Sequence, residues 1–187
     1  AIKVQDNVGG ATQDIGFNAD GELDTVALLA YAGSNDVFVE TWYDQSGSGN
    51  NATQPSSTSR PQIVSSGVVI VDANGKPAVF CNGDSMGINV NLSTFDFSLF
   101  AAYRKTTTTN QAGIFGIGST TYLNIELNQY GPNLTTFYGN TSASFSTLNK
   151  SVNETLQRLV SVTSGTSDIK MYDNSVLADS ATNIANN

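Results

Sequence analysis

Histidine is absent from the 187-residue chain, and cysteine occurs once, as Cys81. The first absence removes the commonest general base and the commonest zinc ligand, so a Ser-His-Asp triad or a zinc site is excluded within this chain. The second excludes an internal disulfide. Basic residues are scarce too: eight against sixteen acidic ones, for a formal net charge of −8. That balance argues against nucleic acid or an anionic membrane as partner. No apolar run approaches the roughly 18 residues of a membrane-spanning helix, so no membrane insertion is expected. Charged residues make up only 13% of the chain, and solubility must rest largely on Ser, Thr, Asn and Gly.

What is present is a rhythm of short alternating segments. Val37, Val39, Thr41 and Tyr43 alternate with Phe38, Glu40, Trp42 and Asp44, the pattern of a strand with two unlike faces. Ser46, Gly47, Ser48, Gly49, Asn50 and Asn51 then supply turn chemistry. The glycines permit positive φ, and the Ser and Asn side chains bond nearby backbone. Trp42, the only tryptophan, stands just before this turn. It reads either as a core anchor or as a platform on which a sugar ring stacks. We expect the anchor, mostly buried.

Asp44-Gln45-Ser46-Gly47-Ser48-Gly49 also copies the opening of a calcium loop. Pro55 stands where the closing acid of such a loop belongs. A turn in which Asp44 caps local amides is therefore expected, with no cofactor and with calcium as the one ion the pattern would suit.

Elsewhere, Ile2–Val4 and Gln13–Phe17 read as strands. Asp24 is a good N-cap for a helix over Thr25–Ala32, and Gly33 is its stop. Gln62–Val64 and Val68–Val71 read as strands, and Asn74-Gly75 as a hairpin turn leading to a strand over Pro77–Cys81. Cys81 is expected to be a small buried hydrophobe there. Phe97–Arg104 is apolar on both faces and reads as a central strand. Strands follow at Gly113–Gly118, Tyr122–Asn128, Leu134–Tyr138, Ala143–Phe145, Leu156–Thr163 and Asp168–Tyr172. Asp173-Asn174 closes a hairpin toward Ser175–Leu177, and the polar tail from Ala178 to Asn187 has no strand pattern.

Many short strands, one helix and frequent turns predict an all-β fold. The form expected is an antiparallel β-sandwich of jelly-roll type, one domain over residues 1–187 with a short helix near 25–32. No internal repeat or linker stands out. Ala1-Ile2-Lys3-Val4 reads as a strand with no polar leader. A start inside a longer polypeptide is expected, with closing strands beyond 187.

The stretch TWYDQSGSGNNATQ is followed by Arg60-Pro61 and Lys76-Pro77-Ala78-Val79 and preceded by Asp14-Ile15-Gly16-Phe17 and Gly21-Glu22-Leu23-Asp24-Thr25. Together these resemble the laminin-G-like, concanavalin-A-like modules of bacterial surface proteins and phage structural proteins. A more distant resemblance is to the catalytic domain of fungal-type α-L-arabinofuranosidases, which carry a similar YDQSG turn. The motifs cover the first half of the chain. The family pattern ends the segment after Pro-Ala with Phe-Asp-Gly, whereas here Phe80-Cys81-Asn82-Gly83 stands. The resemblance implies a module on a cell or virion surface, built into an oligomer or larger assembly, with a cell-surface glycan or other surface proteins as partner.

Three functions follow as alternatives. Hydrolysis of a glycoside needs two carboxylates about 5.5 Å or about 6.5–9.5 Å apart. Glu40 and Asp44 lie four residues apart on a strand, roughly 13 Å at about 3.3 Å per residue, and the acid pattern of the arabinofuranosidases is not matched. Glycan binding needs only an aromatic ring and hydrogen-bonding groups on one face, and Tyr122, Asn124, Glu126 and Asn128 alternate in that way. Their plainer reading is a solvated sheet face. A purely structural role in a virion or surface array is the third. Expected is the second: adhesion or display without catalysis. Sequons at Asn51, Asn91, Asn133, Asn140, Asn149 and Asn153 would matter only in a secretory host that glycosylates them.

Overall fold

The computed structural model describes residues 1–89, 97–106, 112–118, 124–130, 133–140, 144–151, 158–164 and 168–182. The fold is all-β and antiparallel, with one α-helix among the described residues. The chain falls into two compact units, Ala1–Asn91 and Leu92–Asn187.

In the first unit the strands are β1 (Ile2–Asp6), β2 (Gln13–Ile15), β3 (Val37–Trp42), β4 (Ala52–Thr53), β5 (Gln62–Ser65), β6 (Val68–Val69) and β7 (Gly87–Ile88), with helix α1 at Thr25–Ala32. They form one sheet in the order β2-β1-β3-β4-β7, and β5 joins through β3 and carries β6. In β3 the alternation holds: Val37, Val39 and Thr41 are buried, Phe38 and Glu40 half-buried, and Trp42 exposed. Lys3 pairs with Thr41 but Val4 pairs with Val39, so Glu40 is an extra residue that bulges β3 just before Trp42.

Helix α1 begins and ends where its caps dictate. The Asp24 carboxylate accepts the Ala27 amide, one of the amides left orphaned in a first turn. Gly33 ends it at φ +55 and donates its amide to the Leu29 carbonyl. Leu28 and Ala32 are buried against Ile2, Val4, Ile15, Val37, Val39, Ile63 and Val64, which make the core of the unit. Full burial of each Val, Leu or Ile there is worth about 1.5–3 kcal/mol. Tyr31 fastens the same helix to β1, accepting the Asp6 amide at 3.0 Å and donating to the Ala11 carbonyl at 2.8 Å.

Two tight turns shape the rest of the unit. Ser66 and Gly67 join β5 to β6, both at positive φ, as a two-residue hairpin loop requires. The hairpin expected at Asn74-Gly75 is also present, with Val71 bridged to Pro77. The segment 77–81 is not a strand. It makes single bridges at Pro77 and Phe80 only. Consequently Cys81 has no sheet to hold it inward, and it is exposed rather than buried.

The second unit contains two four-stranded antiparallel sheets. One comprises β9 (Ala112–Gly118), β10 (Asn124–Tyr130), β11 (Asn133–Asn140) and β12 (Ser144–Ser151) in the order β12-β11-β10-β9. The other comprises β8 (Phe97–Tyr103), β13 (Arg158–Ser164), β14 (Asp168–Asp173) and β15 (Val176–Thr182) in the order β15-β14-β13-β8. Val160, Val162 and Met171 form the buried side of the latter sheet.

Two expectations are corrected here. The apolar strand β8 lies at an edge of its sheet, not at the centre, and Phe100 is 67% exposed. Its apolar content marks a face that lacks a cover, not a strand with neighbours on both sides. The polar tail is a strand as far as Thr182. Asn174 and Ser175 both take positive φ and turn the chain back, so β14 templates β15 through backbone bonds that polar residues make as well as apolar ones.

Candidate functional site

The YDQSG loop is built by one carboxylate. Asp44 Oδ1 accepts the Ser46 amide at 2.7 Å. Asp44 Oδ2 accepts the Ser46 hydroxyl at 2.8 Å and the Asn50 amide at 3.0 Å. Asn51 closes the loop from the other side, its Oδ1 accepting the Asp44 amide at 2.9 Å. Gly47 and Gly49 turn the chain at φ +84 and +78. The expected side-chain-capped turn is therefore present. The amide and hydroxyl of Ser46, followed by the Asn50 and Gly49 amides, hold the Asp44 carboxyl below the usual carboxylate range. Both of its oxygens already accept protein donors, so the loop holds itself closed with protein groups.

Arg60, which the sequence marks only as part of an Arg-Pro pair, ties the connector that follows β4 to strands β1 and β3. It is buried, 7% exposed. Its guanidinium meets Glu40 Oε2 at 2.7 Å and donates to the carbonyls of Gln54 at 2.8 Å and Pro55 at 3.1 Å and to Gln5 Oε1 at 2.5 Å. A planar fork with several donors suits such a spread of acceptors. Lys3 adds a second cation to Glu40 at 3.4 Å. The signal that could have found this was the Arg-Pro pair after a Ser/Thr-rich connector, together with a lone Glu on a strand face.

Trp42 lies in the chain between Glu40 and Asp44 and is 51% exposed. The expected core anchor is thus overturned. The buried face of β3 is that of Val37, Val39 and Thr41, and Trp42 alternates with them. Beyond the bulge, Trp42 pairs with Ala52, and Ala52 with Ile88, which is also exposed. Neighbouring Tyr43 donates to Asp14 Oδ1 at 2.7 Å, which raises the phenol above its usual range by stabilising the protonated form. The result is a half-exposed indole at the end of an interior strand, paired with Ile2 and Ala52 and followed by a loop whose polar side chains are held by hydrogen bonds.

Of the residues expected to contact a glycan, Tyr122 lies outside the described residues. Asn124, Glu126 and Asn128 fall on β10, an interior strand of its sheet. Across the β9 pairing each of them stands opposite a glycine: Gly118, Gly116 and Gly113 in turn. The pairing slips between Leu127 and Asn128. On the other side their partners are Gly139, Phe137 and Thr135. Three polar positions next to a line of residues without side chains were not visible from either strand alone.

Among the described residues no three acidic, histidine or cysteine side chains gather where they could hold a metal ion. No helix of the described residues is long and apolar enough to cross a membrane. No protein-family model, curated protein or solved structure matches the chain.

Proposed function

We propose that the chain is a non-catalytic surface module that binds a glycan, with Trp42 as the stacking platform. The sandwich is read as concanavalin-A-like, and the setting as a phage virion appendage or a cell surface, where repeated copies would make weak contacts sufficient. The observation that carries this reading is the half-exposed indole at the end of an interior strand, next to the hydrogen-bonded YDQSG loop. An aromatic ring left in water beside a preorganised polar loop is what a sugar face requires: a flat apolar surface with hydrogen-bonding groups at its rim. The neighbouring acid is not free for glycoside chemistry, since Glu40 is engaged by Arg60 and Lys3. The row Asn124, Glu126 and Asn128 is a second place for a glycan, in the other unit.

Because Trp42 is the only tryptophan, intrinsic fluorescence reports on the site directly. A glycan array first identifies a ligand, and titration with it is then expected to quench or shift the emission. Trp42→Ala is expected to abolish binding while leaving the far-ultraviolet circular dichroism unchanged. Binding that persists in Trp42→Ala but is lost in Glu126→Gln would move the site to β10. Turnover of an arabinofuranoside or glucan would overturn the non-catalytic reading.

A purely structural role is the second reading, favoured by the open face of the β8–β15 sheet. Phe100 pairs with Ser161, Ser161 with Tyr172 and Tyr172 with Leu177, and Phe100 and Leu177 are exposed. Array-wide failure to bind, together with self-association lost in Phe100→Asp, would favour it.

A further inference from the structure

Asn-Gly occurs twice in the chain, at Asn74-Gly75 and Asn82-Gly83. All four residues are exposed. The glycines take φ +77 and +82, and a Cβ at either would meet nothing within 4 Å. The two sites differ in how their backbone is bonded.

At the first, Asp72 holds the turn. Its Oδ1 accepts the amides of Asn74 at 2.8 Å and Lys76 at 2.9 Å. The Gly75 amide itself donates to the Asp72 carbonyl at 3.2 Å, and the Asp72 amide to the Lys76 carbonyl at 2.8 Å. At the second, the Asn82 amide donates to Asp84 Oδ2 at 2.9 Å. Among the described residues the Gly83 amide and the Asn82 side chain have no hydrogen-bond partner. The last sheet bridge before this corner is at Phe80, and the next strand begins at Gly87.

Asparagine is chemically labile where the next backbone nitrogen can reach its side chain. Reaction requires that nitrogen to lose its proton and swing toward the side-chain carbonyl. A glycine there offers no Cβ to obstruct the approach, and it tolerates the rotations needed. A hydrogen bond from that N–H opposes both steps, because it must be broken and because the bonded amide is harder to deprotonate.

We propose that Asn82 is a site of spontaneous deamidation and that Asn74, identical in its local sequence pair, is protected by Asp72. The Gly83 nitrogen forms a bond to Asn82 Cγ, and the bond from Cγ to the side-chain nitrogen breaks. Ammonia leaves, carrying the hydrogen that the Gly83 nitrogen gave up. The five-membered succinimide then opens by addition of water at one of its two carbonyls, giving aspartate or isoaspartate. Water is the only co-reactant, and no electrons are transferred. The product places a carboxylate at position 82 beside Asp84 and makes the net charge one unit more negative than −8. In the isoaspartate form it also lengthens the backbone by one methylene ahead of Ser85, whose carbonyl accepts Gln54 Nε2 at 2.7 Å.

The test is to age the purified full-length chain in mildly alkaline buffer and map its peptides by mass spectrometry, with isoaspartate scored by protein isoaspartyl methyltransferase. The peptide containing Asn82 is expected to convert, with isoaspartate in excess, while that containing Asn74 stays an amide. Conversion at Asn74 as fast as at Asn82, or an unchanged Asn82, would overturn the proposal. In Asp72→Ala the Asn74 peptide is expected to begin converting. If it remains an amide in a variant with native circular dichroism, Asp72 is not its protection and the contrast fails.

Discussion

Cys81 and Asp44 carry the clearest tests at the scale of single residues. Cys81 is exposed, so a thiol reagent should label it in the native protein. Its surroundings still desolvate the thiolate, and the nearby Asp84 carboxylate repels it, so the thiol is raised above its usual range. Labelling at neutral pH should therefore be slower than for a free cysteine and should accelerate as pH rises. Complete protection in the native state would put the side chain back inside. Asp44 has its folded-state pKa lowered by the amides and hydroxyl it accepts. Its contribution to stability is therefore present above the unfolded-state value, about 3.9, and is lost as pH falls through the folded one. Asp44→Asn should lower the melting temperature at neutral pH, and the gap to the native protein should narrow as the solution is acidified into that range. A gap that is constant with pH would mean the carboxylate charge is irrelevant to the loop.

Elements in this chain are set by their ends more than by their middles. Helix α1 has only eight residues, short for an isolated helix, yet its bounds match Asp24 and Gly33 because the caps satisfy backbone groups nothing else would reach. The β5–β6 hairpin is braced against that same cap. A Cβ on Gly67 would lie 2.6 Å from the Gly33 carbonyl oxygen, a backbone atom that cannot swing away, and φ is +77. Gly67→Ala should destabilise by about 1–3 kcal/mol through overpacking, measured by urea unfolding. Gly47→Ala is the useful comparison: φ is +84 there, but open space surrounds the site. An equal loss in both would show that backbone strain alone matters and that the contact with the helix cap contributes nothing.

Charge is the property of the whole molecule that reaches furthest. With a net charge of −8 and no histidine to titrate near neutrality, the chain should flow through a heparin or DNA column at low salt. Retention there would require a basic surface strong enough to act against the overall field, and would redirect the search for a partner. Each of the two units has its own sheets, so the open apolar face around Phe100 and the exposed Trp42 belong to different bodies and can be altered separately.

Local chemistry was legible in the sequence. Alternation in β3, the helix caps, the self-closed YDQSG loop and the Asn74-Gly75 turn all depend on residues within a few positions of one another, and all were expected where they occur. Pairing across strands was not legible, because it joins residues far apart in the chain. Only the register put a glycine opposite each of Asn124, Glu126 and Asn128, and only β14 made a strand of the polar segment 178–182. Burial was the least legible property, since an apolar side chain looks the same in sequence whether or not something covers it. Composition argued that Trp42 and Cys81 should be inside. The tertiary structure left both in water, Trp42 on the face of β3 opposite the valines and Cys81 on a segment that makes no strand. It also buried Arg60 instead, because Glu40, Gln5 and two backbone carbonyls converge to satisfy its charge and its donors.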